Sequence, residues 1–161
     1  MRLFLAIRLS SQMQKALLDC MNDLKKQGME GRYVPVQNLH LTLAFIGEYD
    51  NPKKVKQVIK QVPLDPFPIL LSKTGHFGNL LWAGVQENQK LNAYAGQLRQ
   101  ALRQNGIPFD PKKFVPHITL IRNAAAKKPY QVHLAKTEMT VSKASLMKSE
   151  FRNGGVVYTE L

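Results

Sequence analysis

Two short segments of the sequence share a pattern of residues that could carry out acid–base chemistry. The chain has only four histidines, and two of them stand in the frame His-x-Thr-Leu, at His40–Leu43 (HLTL) and His117–Leu120 (HITL). Residues i and i+2 of a strand share one face, so each histidine would lie beside a threonine and opposite the apolar residues. A buried imidazole or hydroxyl without a partner costs about 1–3 kcal/mol. This polar face therefore needs a function.

A pair of imidazoles can divide the two proton transfers of phosphodiester hydrolysis. The pKa of imidazole is about 6.5, so near neutral pH one ring can accept a proton from water while the other donates one to the leaving oxygen. The hydroxyls of Thr42 and Thr119 can donate to the non-bridging phosphate oxygens, where negative charge grows in the transition state. A 2′,3′-cyclic phosphate suits these groups, because its strained ring opens without a metal. The residues alone do not fix which histidine is the acid, because the two frames are nearly equivalent.

A metal site is the competing interpretation of the two histidines. Zinc normally takes three or four protein ligands, and no Asp, Glu or Cys stands at ligand spacing beside either frame. Glu48 and Asp50 follow the first frame, but nothing similar follows the second. A single His-x-Thr in a strand is common and would by itself indicate packing. Two copies at matched positions in a basic chain favour a catalytic pair, so neither a metal nor a cofactor is predicted.

Each frame lies in a predicted strand that follows a predicted amphipathic helix. The first unit consists of the strand Arg2–Leu9, a helix that ends near Gly28 and the strand of His40. The second consists of the strand NLLWAGV, a helix that ends near Gly106 and the strand of His117. The two histidines are 77 residues apart, and the same offset relates several apolar positions. An internal repeat is therefore predicted, and its equivalent strands can lie beside a common axis, which would bring the histidines together.

The remaining segments complete a predicted α+β domain. A short helix begins at Asn51–Pro52 and ends near Val62, and two strands meet at a turn near Gly78–Asn79. Further strands are predicted at residues 130–141, 143–148 and 156–161. A chain of 161 residues is the size of one domain. We predict a single domain over residues 1–161 with two pseudo-repeated lobes.

Composition indicates the class of partner. The chain carries 23 Lys and Arg against 11 Asp and Glu, a net charge of +12, which attracts polyanions such as RNA. No apolar run is long enough to cross a bilayer, and Arg8 interrupts the N-terminal apolar stretch, which we interpret as a strand and not as a secretory signal. The single Cys20 excludes an internal disulfide and predicts a cytoplasmic protein. No heptad repeat or large apolar patch can be identified, so a monomer with no membrane partner is expected.

The frames HLTL and HITL resemble the paired H-x-T-x motifs of the 2H phosphoesterase superfamily. The similarity is closest to its bacterial and archaeal RNA 2′,3′-cyclic phosphodiesterases, first described as 2′-5′ RNA ligases. RLFLAIRL resembles their opening strand, YVPVQNLHLTLAFIGE their first motif region and FVPHITLIR their second. The resemblance implies an α+β fold with two pseudo-symmetric lobes, each an antiparallel sheet with outer helices, around a central cleft. It also implies metal-independent opening of a terminal RNA 2′,3′-cyclic phosphate to a 2′-phosphomonoester, with an RNA end or a small cyclic nucleotide as partner.

The resemblance also implies roles for individual residues. His40 would donate the proton to the leaving oxygen, and His117 would accept the proton of the attacking water. Thr42 and Thr119 would bind the phosphate. Arg122 matches a basic residue that often follows the second motif, and it is predicted either to neutralise phosphate or to be a solvated arginine at a strand end.

Two aromatic residues complete the predicted site. Tyr33 stands where relatives often carry a tryptophan and is predicted as a substrate contact, and Phe4 is predicted either to face the cleft or to belong to the core. His76 and His133 lack the frame and are given no role. Two alternative functions remain open from the residues: 2′-5′ RNA ligation as the main role, which requires only that a hydroxyl replace water, and a non-catalytic module that binds nucleotides or RNA ends.

Overall fold

The chain forms nine β-strands, three α-helices and one short 3-10 turn, and the computed structural model describes all residues from 1 to 161. The helices are α1 (Ser11–Lys26), α2 (Pro52–Gln61) and α3 (Gln89–Gln104). The strands are β1 (Arg2–Arg8), β2 (Glu30–Tyr33), β3 (His40–Glu48), β4 (Phe67–Phe77), β5 (Leu80–Val85), β6 (His117–Ala125), β7 (Glu138–Val141), β8 (Ser145–Arg152) and β9 (Gly155–Glu160). The predicted α+β class is confirmed. None of the helices has the length and apolarity that a bilayer crossing requires.

The three helices begin where local sequence rules place them. The side chains of Ser10, Asn51 and Asn88 each accept a hydrogen bond from a backbone N–H in the first turn of the helix that follows, which satisfies one of its unpaired donors. Pro52 occupies the first turn of α2, where its missing N–H is not needed. After the last turn of α1, Gly28 adopts a φ of +92°, a conformation that favours glycine and ends the helix.

All strand pairs are antiparallel and form one continuous sheet in the order β7-β4-β5-β6-β3-β1-β8-β9, with β2 added to β6. The two motif strands, β3 and β6, are neighbours at its centre and pair at Leu41 and Ile118. Strand β1 lies next to β3, and β5 lies next to β6. The boundary between β3 and β6 therefore divides the eight strands of this order into two groups of four, and β2 is the ninth strand. We infer from this order that the single domain consists of two pseudo-repeated lobes, which share one sheet.

The two faces of the sheet differ in what they contact. One face packs on the helices and forms a core of 34 buried residues. The opposite face carries the polar residues of both frames and a second, small apolar cluster of Phe4, Ala6 and Met147. We call this second surface the cleft face. Because side chains of β1 alternate between the faces, Leu3, Leu5 and Ile7 reach the main core while Phe4 and Ala6 reach the cleft face.

Both central strands contain a β-bulge directly after the His-Thr frame. The pairing register shifts by one residue at Leu43–Ala44 in β3 and at Leu120–Ile121 in β6, and all four of these residues are fully buried. A bulge adds one residue to one strand and so resets the alternation of faces. The next side chains, Phe45 and Arg122, therefore return to the cleft face. In the sequence, the two adjacent apolar residues at the end of each frame mark this break in alternation.

The structure corrects one predicted strand and adds one that was not predicted. Within the predicted strand 130–141 only Glu138–Val141 is a strand, and residues 126–137 have no regular structure. The side chain of Gln27, which directly follows α1, donates to the carbonyl of Gln131 at 2.7 Å and accepts from its N–H at 3.0 Å, so these backbone groups are satisfied without a strand partner. Strand β2 was not predicted, because it is only four residues long and mostly exposed.

Candidate active site

The two His-Thr frames meet at the centre of the cleft face. The register of the β3–β6 pair places His40 opposite Thr119. By the same register, Thr42 lies opposite His117. The two histidines are thus diagonal neighbours, and general sheet geometry separates such positions by roughly 7–8 Å. This spacing leaves room for one phosphate group between the rings.

Thr42 and His117 line one groove of about 430 Å³. Phe45 and Phe77 contribute aromatic walls, and the segment between α3 and β6 contributes Lys112 and Lys113. The groove therefore combines residues from both lobes, and the segment that leads into the second frame adds two lysines and the carboxylate of Asp110. His40, Thr119 and Arg122 are not among its lining residues. No three His, Cys, Asp or Glu side chains cluster in a way that could hold a metal ion.

Arg99 of α3 holds the segment that leads into β6. Its Nε donates to the carbonyl of Leu43 at 3.1 Å, and its Nη1 donates to the carbonyl of Lys112 at 2.6 Å. The guanidinium also lies 5.5 Å from the centre of the Phe114 ring, within cation–π range. Since Leu43 belongs to the bulge of β3, Arg99 links the bulge of the first lobe to the approach of the second frame.

Both imidazoles are oriented by the same local hydrogen bond. Nδ1 of His40 lies 2.7 Å from the carbonyl oxygen of Asn38, and Nδ1 of His117 lies 2.7 Å from that of Val115. A carbonyl oxygen only accepts, so Nδ1 carries the hydrogen in each ring. This leaves Nε2 as the atom of each ring that can exchange a proton. Asn38 is itself buried, and its side chain donates to the carbonyl of Val156 in β9 at 3.0 Å.

Two aromatic rings enclose His40. The ring of Phe4 on β1 lies 4.9 Å from the imidazole, and the ring of Tyr158 on β9 meets it edge-on at 5.2 Å. Phe4 is 3% exposed, so it is both buried and in contact with the predicted site. An ion pair between Arg8 and Glu160 at 2.9 Å connects β1 to β9 and so helps to hold Tyr158 in place.

His117 has an aromatic environment of its own. The ring of Phe77 at the end of β4 meets it edge-on at 5.2 Å, and the indole of Trp82 on β5 lies 6.2 Å away. Phe77 is exposed, in contrast to the buried Phe4 beside His40. The surroundings of His117 are therefore more open to solvent than those of His40, although the two frames are alike in sequence.

Burial lowers the pKa of His40, because desolvation disfavours the charged imidazolium. The positive charges of Arg122 and His117 act in the same direction, while the hydrogen bond to the Asn38 carbonyl opposes them. Both charges act on His40 because Arg122 and His117 share the cleft face with it. His40 is consequently biased towards its neutral form.

We expect His40 to titrate below the ordinary histidine value of about 6.5. The Arg122→Gln variant should raise its pKa, since a positive charge that disfavours the imidazolium is removed. The imidazole resonances followed by NMR from about pH 4 to pH 9 measure both effects. Arg103→Gln, on the exposed surface of α3, is the matched control and should leave the titration unchanged. An unaltered His40 midpoint in the Arg122 variant would contradict the proximity of these groups.

Arg122 lies opposite a second arginine that sequence reasoning missed. The pairing of β2 with β6 places Arg32 directly across from Arg122, and both side chains are exposed. Neither forms an ion pair. Like charges directly opposite one another on adjacent strands are unfavourable, so this pair would be stabilised by an anion bound nearby.

Comparison with known proteins identifies the family. A model of the family described as the 2′-5′ RNA ligase superfamily matches residues 10–152, which is most of the chain. The chain belongs to the 2′-5′ RNA ligase superfamily. The match includes both His-Thr frames and the central strands that carry them.

Relatives within this superfamily extend along the whole chain. The RNA 2′,3′-cyclic phosphodiesterase of Thermus thermophilus is 32% identical, with 100% of this chain and 88% of that protein aligned. The protein of the same name from Escherichia coli is 28% identical over 99% of this chain and 93% of its own length. A crystal structure of Escherichia coli LigT in complex with 3′-AMP superposes with a TM-score of 0.85 at 28% identity, covering 99% of this chain and 94% of that one.

These comparisons confirm three predictions. The family is the predicted one, the fold is that of the LigT phosphoesterases, and the protein is an enzyme of the phosphoric diester hydrolase type. The roles assigned to individual residues stay predictions, as do the monomeric state and the cytoplasmic location.

The predicted role of Tyr33 as a substrate contact is not supported by its position. Its hydroxyl donates to the carbonyl of Met29 at 2.7 Å, and its ring packs on the main core beneath Lys25 of α1, whose Nζ is 5.5 Å from the ring centre. Tyr33 pairs with the buried Ile121 and so shares its face, which is the face opposite the histidines. Neighbouring residues of a strand face opposite sides, so Arg32, which pairs with Arg122, takes the cleft side instead.

The two histidines that lack the frame lie outside the groove. His76 is exposed near the end of β4, and His133 is exposed in the irregular segment 126–137. Neither lines the groove that holds Thr42 and His117. The pairing of β3 with β6 brings only the two framed histidines to the centre of the cleft face.

Proposed function

We propose that this chain is a metal-independent RNA 2′,3′-cyclic phosphodiesterase that opens terminal cyclic phosphates to 2′-phosphomonoesters. The observation that carries the proposal is the pair of imidazoles on adjacent central strands. In both, Nδ1 is held by the carbonyl two residues earlier, which leaves two Nε2 atoms for proton exchange on one surface. The names and coverage of the relatives support this substrate, and the net charge of +12 suits RNA.

In the proposed reaction, His117 is the base and His40 is the acid. Nε2 of His117 takes a proton from water as the water oxygen attacks phosphorus. The bond between phosphorus and O3′ breaks, and Nε2 of His40 delivers its proton to O3′. The products are a 2′-phosphomonoester and a free 3′-hydroxyl, and exchange of protons with solvent restores both rings.

The surrounding groups suit the charge that develops on phosphate. The hydroxyls of Thr42 and Thr119 would donate to the non-bridging oxygens, and Arg122 with Arg32 would add positive charge on the same face. By itself, the lowered pKa of His40 disfavours the imidazolium that a general acid requires. A bound phosphate anion beside the ring favours the imidazolium, so substrate binding itself would populate the proton donor.

Product analysis on a defined oligonucleotide that ends in a 2′,3′-cyclic phosphate tests this function. We expect a 2′-phosphate as the only product, formed at the same rate with and without EDTA. A 3′-phosphate product, or activity lost in EDTA and restored by added divalent metal, would contradict the proposal.

The same assay separates the alternative functions. A second oligonucleotide with a free 5′-hydroxyl is included as a possible acceptor. A joined 2′-5′ product in excess of the hydrolysis product would make ligation the main role. A gel shift of chemically unchanged RNA would identify a binding module without turnover.

A further inference from the structure

A second groove, of about 600 Å³, adjoins the catalytic groove on the side of His117. The two grooves share Arg99 and the segment Lys113–Val115, so they adjoin one another on the protein surface. The volume lies within the range of sites that hold small molecules or single nucleotides. None of the roles proposed above uses this second groove.

The indole of Trp82 lies along this groove on a surface made by two glycines. A Cβ at Gly75 would come within 2.5 Å of the indole, and one at Gly84 within 3.1 Å. Any larger residue at Gly75 would therefore push the ring out of its place. The indole Nε1 is buried without a hydrogen-bond partner. Trp82 thus forms a flat aromatic wall of the second groove. The centre of its ring lies 6.2 Å from the centre of the His117 ring.

The charge of the groove favours an anion. Lys73 and Lys113 are exposed and form no ion pair. The single carboxylate in the lining, Glu87, accepts a hydrogen bond from the side chain of Asn92 at 3.2 Å. Proteins that bind single-stranded nucleic acid combine an aromatic surface with nearby cations, because bases stack on the ring and phosphates pair with the cations. Trp82 and the unpaired lysines give this groove the same combination.

We propose that the second groove binds the nucleotide that precedes the terminal one, with its base stacked on Trp82 and its linking phosphate near Lys73 and Lys113. This inference rests on the proposed function, because it places the cyclic phosphate between His40 and His117. It extends that function by assigning a subsite to the penultimate nucleotide of the RNA. An RNA chain fills both grooves, whereas a mononucleotide fills only the catalytic one.

Fluorescence of Trp82 tests the proposal directly, because it is the only tryptophan of the chain. The wild-type protein is titrated with three product-like probes: a nucleoside 2′-phosphate, an RNA trimer ending in a 2′-phosphate, and the same trimer with an abasic penultimate position. We expect the complete trimer to quench the fluorescence and to bind about tenfold more tightly than the other two probes. The abasic trimer should bind without comparable quenching.

A charge variant tests the lysine contribution separately. Lys73→Gln should weaken binding of the trimer by about threefold and reduce its dependence on salt, with no effect on the mononucleotide. Lys56→Gln, on the exposed surface of α2 and outside both grooves, removes the same charge and should leave trimer binding nearly unchanged.

Two outcomes would overturn the proposal. One is equal quenching by the mononucleotide, which would place the terminal base on Trp82. The other is equal affinity and quenching for the abasic trimer. The assay uses reaction products and needs no turnover, so it gives an answer even if the proposed hydrolysis is not observed.

Discussion

Replacing His40 or His117 with alanine is expected to lower kcat for opening of an RNA 2′,3′-cyclic phosphate by about 10²–10⁴-fold. Each variant loses one of the two proton transfers, and a positioned general acid or base contributes about this factor. KM should change much less, because the threonines and arginines that would hold the phosphate remain. Since the two rings act in one step, the double variant should lose little more than the slower single variant. Single-turnover kinetics on a defined oligonucleotide measure these effects.

The control for this experiment is an alanine at His76. That histidine is exposed near the end of β4 and lies outside the groove, so its loss should leave the rate unchanged. His40 is packed between Phe4 and Tyr158, so thermal unfolding must show that its variants are folded, and His40→Gln provides a larger replacement. Wild-type activity in either framed alanine variant would rule out the proposed pair.

A substrate with sulfur in place of O3′ is expected to restore activity to the His40→Ala variant by about 10²-fold or more, and to leave the His117→Ala variant inactive. A thiol is far more acidic than an alcohol (the pKa of the cysteine thiol is about 8.5) and leaves as a thiolate without protonation, so the substrate no longer needs the general acid. It still needs the base that activates water. The ratio of rates on the sulfur and oxygen substrates, measured for each variant, therefore identifies the acid.

The sulfur substrate could instead rescue the His117→Ala variant, or neither variant. Rescue of His117→Ala alone would reverse the two roles, in agreement with the lowered pKa of His40. Rescue of neither variant would contradict proton donation to O3′ by either ring. A substrate with sulfur at a non-bridging position is the control, because it leaves the departing oxygen unaltered and should not distinguish the variants.

The local sequence determined the elements and the chemistry they carry. Ser10, Asn51 and Asn88 begin the helices because a side-chain oxygen satisfies a free N–H in the first turn. The alternation of His40 with Thr42, and of His117 with Thr119, follows from the two-residue period of a strand. These rules involve only neighbours in sequence, so one chain suffices to apply them. Because the His-x-Thr-Leu frame occurs twice, the sequence also predicted that the two frames face one cleft.

Only the tertiary structure decided which distant residues surround the histidines. Tyr158 reaches His40 because β9 joins the sheet beyond β8, and Trp82 reaches His117 because β5 pairs with β6. Alternation gives the face of a side chain but not its neighbour on the next strand, which depends on strand order and register.

Bulges and short pairings decided the remaining differences between sequence and structure. Arg32 faces the cleft and Tyr33 the core because β2 pairs with β6 just beyond a bulge, and one inserted residue reverses the face of everything after it. Within the irregular residues 126–137, Gln27, about a hundred residues earlier in the chain, satisfies the backbone of Gln131. Such contacts form between segments that are remote in sequence, so no local pattern encodes them.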